Sequence, residues 1–142
     1  MAEELKPIAG MPELLRALAR PLSVASNSSE GHVRHALRIV GAEDWFEGRI
    51  FSARQVPRPK PAPDVYLQAL AQIGLPPEAV VVVEDSTAGV TAARAAGLEV
   101  IAFLGAAHIF EGHEARVLAA GASRLAHTPE ALHEQLRAAG AA

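Results

Sequence analysis

The 142-residue sequence contains no cysteine, which excludes disulfides and any zinc site built on thiolates. Aromatic residues make up only 4%, so a core has to be assembled from Ala, Leu and Val. No run approaches the roughly 18–20 apolar residues of a membrane span. The purest, Val80–Val83, is closed by two acids. The first six residues, Met1 to Lys6, carry two glutamates and no apolar leader region, so a soluble cytoplasmic protein is expected. A net charge of −3 supplies neither the basic footprint of nucleic-acid binding nor an acidic tail. Walker A, Gly-x-Gly-x-x-Gly and Gly-x-Ser-x-Gly patterns are missing as well. Aspartate is scarce: Asp44, Asp64 and Asp85 are the only three, and none forms an Asp-x-Asp pair.

What is present is an alternation of short apolar runs with helical periodicity. Pro12 can open a helix with Leu14, Leu15 and Leu18 as its stripe. Leu22–Ala25 reads as a buried strand, followed by the cap-type residues Ser26-Asn27-Ser28-Ser29. Val33, Ala36, Leu37 and Val40 give the next helix its apolar face, and Gly41 ends it. Arg49–Ser52 reads as a strand, with Trp45 and Phe46 packed just before it. The loop from Pro57 to Pro63 holds four prolines, which fix their own φ and stiffen any side chain between them. Asp64–Ile73 reads as a helix with Val65, Leu67, Ala69 and Leu70 apolar. Val80–Val83 fits a strand buried on both faces of a parallel sheet. A helix from Thr87 to near Gly97, a strand Glu99–Phe103, and one or two further helices with a short strand near Leu125 complete the chain, whose alanine tail Ala138–Ala142 is expected to fray. Strands alternating with helices predict an α/β fold with a parallel sheet and right-handed crossovers. The length fits one domain.

Ligands in such sheets sit beyond the C-terminal strand ends, and three polar clusters fall there. Glu84-Asp85 follows the valine strand, where two partly buried neighbouring carboxylates repel and a divalent cation relieves the cost. Ser26 and Asn27 offer a hydroxyl and backbone amides at a helix start, a ready phosphate site. Lys60, among the prolines, can balance a phosphate charge. Taken singly, each has a plainer reading: a helix-cap acid, a serine-rich cap, a solvated lysine. Their shared order and placement are far more specific.

The stretch Val24-Ala25-Ser26-Asn27-Ser28 resembles the second motif of the haloacid dehalogenase superfamily. Lys60-Pro61-Ala62-Pro63-Asp64 resembles its third motif, and Val83-Glu84-Asp85-Ser86-Thr87-Ala88-Gly89-Val90 its fourth, in the form found in β-phosphoglucomutase and phosphoglycolate-phosphatase-like enzymes. The resemblance implies a three-layer Rossmann-like core and a magnesium-dependent (Mg2+) phosphomonoester hydrolase acting on a small phosphorylated metabolite. In it Ser26 and Asn27 hold the phosphoryl group, Lys60 neutralises it, Asp85 ligates magnesium, and Glu84 joins directly or through water. Ser86 and Gly89 shape the loop. The paired acids speak against a true dehalogenase, whose chemistry needs no magnesium.

The family's first motif, an Asp-x-Asp stretch whose first aspartate is the nucleophile and whose second is the general acid/base, has no counterpart in this sequence. Asp44 and Asp64 do not replace it. The expectation is one incomplete core domain over residues 1–142, lacking the central first strand and the helical cap, and without turnover alone. The vacant mid-sheet slot then has three possible fates: a segment of another chain fills it, its two flanking strands close on each other, or a longer protein supplies the strand. A non-catalytic phosphate- and magnesium-binding scaffold and a sugar phosphomutase are the alternatives. Among the histidines, His32 and His35 share a helix face without further ligands, and His108 and His113 flank a loop near the active edge. A response-regulator receiver would place its lysine after the acids, whereas Lys60 precedes Glu84-Asp85.

Overall fold

A computed structural model describes residues 22–140 apart from 40, 42, 47 and 106–111. The helix expected after Pro12, the contribution of Val40, the Trp45 side chain, His108 and the last two alanines lie outside the described residues. Parallel strands alternate with helices: β1 (Val24–Ser26), α1 (Glu30–Ile39), β2 (Ile50–Ser52), α2 (Asp64–Ile73), β3 (Val81–Glu84), α3 (Thr87–Ala95), β4 (Glu99–Phe103), α4 (His113–Ala120), β5 (Arg124–Ala126) and α5 (Pro129–Ala138). The α/β class expected from the sequence is the one observed.

Local chemistry sets the element ends. The Ser29 hydroxyl accepts from the His32 amide at 3.2 Å and opens α1. At the other end Gly41, at φ 74°, donates its amide to the Arg38 carbonyl. Ser86 and Thr128 accept from Gly89 and Ala131 amides, each at 3.0 Å, and cap α3 and α5. Along β4 the side chains alternate: Val100 and Ala102 join the larger core with α2 and α3, while Ile101 and Phe103 pack with Leu132 and Leu136 of α5. Helices thus cover both faces of β4, and the layers are helix, sheet, helix.

The strands form two separate parallel sheets, β1-β2 and β3-β4-β5. Registers run from Val24↔Ile50 to Ser26↔Ser52 and from Val81↔Glu99 to Glu84↔Ala102. Neither β1 nor β3 pairs with the other, so the flanking strands have not closed on each other. Three expectations need correction. The first strand, read as buried over Leu22–Ala25, runs Val24–Ser26 and is only half-buried along its length, because β2 alone pairs with it among the described residues. The valine strand is not buried throughout: Val82 is buried, but Val83 is 41% exposed because it borders a cavity between the two sheets. On α2 the inward residues are Val65, Tyr66 and Ala69, while Leu67 faces solvent.

Candidate functional site

The ends of β1 and β3, the proline loop and the start of α3 line one open cavity of about 480 Å3. Its lining includes Ser26, Asn27, Lys60, Glu84, Asp85 and Ser86, so every site residue expected from the sequence borders the same space. The Lys60–Pro61 peptide bond is cis.

Lys60 is the hub. Its backbone amide donates to the Asn27 side-chain oxygen at 2.9 Å, tying the proline loop to the turn after β1. Its ammonium donates to the Ala25 carbonyl at 2.9 Å and to the Glu84 carboxylate. The same Glu84 oxygen accepts from the Tyr66 hydroxyl. The Lys60 and Glu84 side chains are 10% and 9% exposed. A pair removed this far from water survives only with further hydrogen bonds, and Tyr66 and the Ala25 carbonyl supply them. Burial, and then the charge and hydrogen bond of Glu84, push the Tyr66 hydroxyl far above its ordinary ionisation range. It therefore stays a donor.

Asp85 is arranged differently. It is exposed, and its carboxylate has no partner among the described residues. Its carbonyl lies 2.6 Å from His113 Nε2, a hydrogen bond when that nitrogen carries the proton. Ser26 is half-buried, and its hydroxyl oxygen accepts from the Ser28 amide at 3.0 Å, leaving its proton to donate elsewhere. Gly89 lies against Glu84, and a Cβ there would collide with the carboxylate, which is a steric reason for glycine at this point of α3.

Two supporting residues escaped the sequence reading. Ser52, fully buried, donates to the Ser28 carbonyl at 2.6 Å and accepts from the Arg54 amide, locking the turn after β1 to the end of β2. Tyr66 carries the only signal that was available, a tyrosine two residues after Asp64 in the first turn behind the lysine loop. His32 and His35 are exposed on α1, away from this cavity's lining. Among the described residues no three His, Asp or Glu side chains gather as a ready metal cage. The Asp85 carboxylate, unpartnered among the described residues, borders the same space as Glu84, and one or two carboxylates with water and substrate phosphate are the donor set that magnesium commonly takes.

A profile of the family described as haloacid dehalogenase-like hydrolase matches residues 1–97. The phosphorylated carbohydrates phosphatase of Thermotoga maritima is 35% identical over 121 residues, 85% of this chain and 54% of that protein. A haloacid dehalogenase-like protein of unknown function from Agrobacterium tumefaciens superposes with a TM-score of 0.88 at 38% identity, over 94% of this chain and 61% of that one. A family hydrolase from Deinococcus radiodurans, solved with bound phosphate and sodium, gives 0.85 at 35% identity over 94% and 60%. The chain spans about half the length of the curated relatives it matches. Among the described residues no helix is long and apolar enough to cross a membrane.

Proposed function

Because this chain belongs to the haloacid dehalogenase-like hydrolases, we propose that its cavity is the phosphate and magnesium pocket of a phosphomonoester hydrolase. The observation that carries the reading is the convergence of a hydroxyl-bearing turn, an ammonium and two neighbouring acids on one cavity of about 480 Å3. The substrate is a small phosphorylated metabolite. Phosphorylated carbohydrates, named for the Thermotoga maritima relative, are the class taken over here.

The roles follow from the contacts. The Ser26 hydroxyl and the Asn27 amide bind phosphoryl oxygens. Lys60 has three N–H donors; Ala25 and Glu84 engage two, and the third is available to the phosphoryl group. Asp85 holds the cation, while the neighbouring Glu84 carboxylate is paired with Lys60. Bound there, magnesium supplies positive charge that polarises the phosphoryl group. The covalent step, attack of an aspartate carboxylate on phosphorus to give an aspartyl-phosphate, uses a side chain that the 142 residues do not contain. The segment bearing it completes the sheet between β1 and β3, from the same polypeptide or another.

The 142-residue chain is therefore expected to bind phosphate with magnesium and not to turn over. Calorimetric titration with inorganic phosphate, with and without magnesium, checks the first part; Ser26→Ala and Lys60→Met are each expected to weaken binding about tenfold. No binding by the unsubstituted chain overturns the pocket. Hydrolysis of a generic phosphomonoester above about 1 s⁻¹ overturns the assignment of the nucleophile. The lack of an Asp-x-Asp pair also favours a second reading, a binding module without chemistry. A longer polypeptide that carries this core and an Asp-x-Asp stretch, binds both ligands and still shows no turnover, supports that second reading. A sugar phosphomutase would use the same pocket and is separated by its product, a phosphate moved within the sugar instead of released.

A further inference from the structure

We propose that Tyr66 is a positioning residue that holds Glu84 on Lys60 and so keeps the second acid of the Glu84-Asp85 pair off the cation; the claim rests on the phosphate and magnesium reading of the cavity. One side chain touches both members of the buried ion pair. The Tyr66 hydroxyl donates to the Glu84 oxygen that also accepts from Lys60. The Lys60 ammonium lies over its ring, 5.1 Å from the ring centroid, within cation–π range. Tyr66 itself is only 6% exposed, so its hydroxyl cannot turn to solvent for a partner, and an unmade hydrogen bond there would be costly.

The other side of the carboxylate is closed too. Glu84 lies against Gly89, where a Cβ would collide with it. The carboxylate is thus seated between the start of α2 and the start of α3, with Lys60 as its counterion. Asp85 is exposed and unpartnered among the described residues. The two consecutive acids have separate tasks: Glu84 orients the lysine, and Asp85 meets the cation. Removing the Tyr66 hydroxyl leaves Glu84 held by Lys60 alone and lets its carboxylate reach the metal. The ring, and with it the packing of α2, is kept by phenylalanine.

The test uses the 142-residue chain, with Mn2+ as the probe cation and inorganic phosphate present, and four proteins: wild type, Tyr66→Phe, Glu84→Gln and the double variant. Tyr66→Phe is expected to bind Mn2+ roughly tenfold more tightly, the scale of one hydrogen bond to a charged group. That gain is expected to vanish in the Glu84→Gln background. The Lys60 ammonium should give a sharp 15N resonance in the wild type, because its N–H groups are held in buried contacts, and should broaden in Tyr66→Phe. Unchanged Mn2+ affinity in Tyr66→Phe, or a gain that persists with Glu84→Gln, overturns the proposal. If the wild type binds neither Mn2+ nor phosphate, the cavity reading fails by itself. The ammonium resonance then decides the positioning claim, which a signal unaltered by Tyr66→Phe refutes.

Discussion

Glu84 and Asp85 leave the same strand end with carboxylates in different surroundings, one between Lys60 and Tyr66 and the other at the surface. The first arrangement makes Tyr66 report on the whole cluster, since it is the only tyrosine in the chain. Burial first, then the Glu84 charge, raise its ionisation above the ordinary value of 10.0. The sign of the linkage follows. A group with a raised folded-state pKa contributes stability that is fully present below the unfolded value and is lost as pH climbs through the folded one. Above about pH 10 the unfolded chain releases a proton that the folded chain keeps, and stability falls by about 1.4 kcal/mol per pH unit from this group. We expect tyrosinate ultraviolet absorbance to rise together with unfolding, monitored by circular dichroism, and Tyr66→Phe to lose this share of the alkaline slope. Reversible tyrosinate formation near pH 10 in a folded chain would show that the hydroxyl is not held as described.

At the level of elements, the cap residues connect stability to the site. Ser86 and Thr128 make the same bond, a hydroxyl accepting an amide three residues on at 3.0 Å. Their replacement by alanine should cost about 1 kcal/mol each in urea unfolding. Only Ser86→Ala should also weaken phosphate and magnesium binding, because Ser86 follows Asp85 and lines the cavity, whereas Thr128 caps α5 on the far side of β4. Equal loss of binding in both variants would mean that the cap acts on the fold alone. The same elements show what the sequence made legible. α2 and β4 appear with the bounds read from it, Asp64–Ile73 and Glu99–Phe103, since prolines precede one and Gly74 follows it, while Gly97 and Gly105 flank the other, which carries Val100, Ile101 and Phe103. The three cavity motifs were legible because strand ends in a parallel sheet project to one edge. The phase of α2 was not. Apolar periodicity favoured Leu67, but the helix turns Tyr66 inward, where a polar tip finds Glu84 and an amphipathic ring fills the core. Ser52 was invisible for a related reason: its value lies in a contact with Ser28, 24 residues away, and nothing local encodes it.

On the scale of the whole molecule, the two sheets are joined by side chains and a helix instead of a backbone ladder. α2 packs on β1, β2 and α3, and Lys60 ties the Ala25 carbonyl of β1 to Glu84 of β3. Between the facing edges of β1 and β3 no strand lies among the described residues. Among the described residues the peptide groups on those edges have no ladder partners, and in a buried setting each unpaired group is costly. Water in the cavity can satisfy them, but it leaves Val83 41% exposed in a strand otherwise suited to burial. An extended apolar segment entering between β1 and β3 would pair both rows at once and cover Val83. Hydrogen exchange on the chain alone should therefore find the amides of Val24–Ser26 and Val81–Glu84 that point away from β2 and β4 exchanging as fast as loop amides, while their neighbours in the ladders are protected. A synthetic peptide made of an apolar strand ending in Asp-x-Asp should then slow both sets together, because one strand inserted between two edges satisfies them in a single event. Protection on β3 without β1, or on neither, would mean that the two half-sheets do not frame a common slot, and the phosphate pocket would have to be completed in another way.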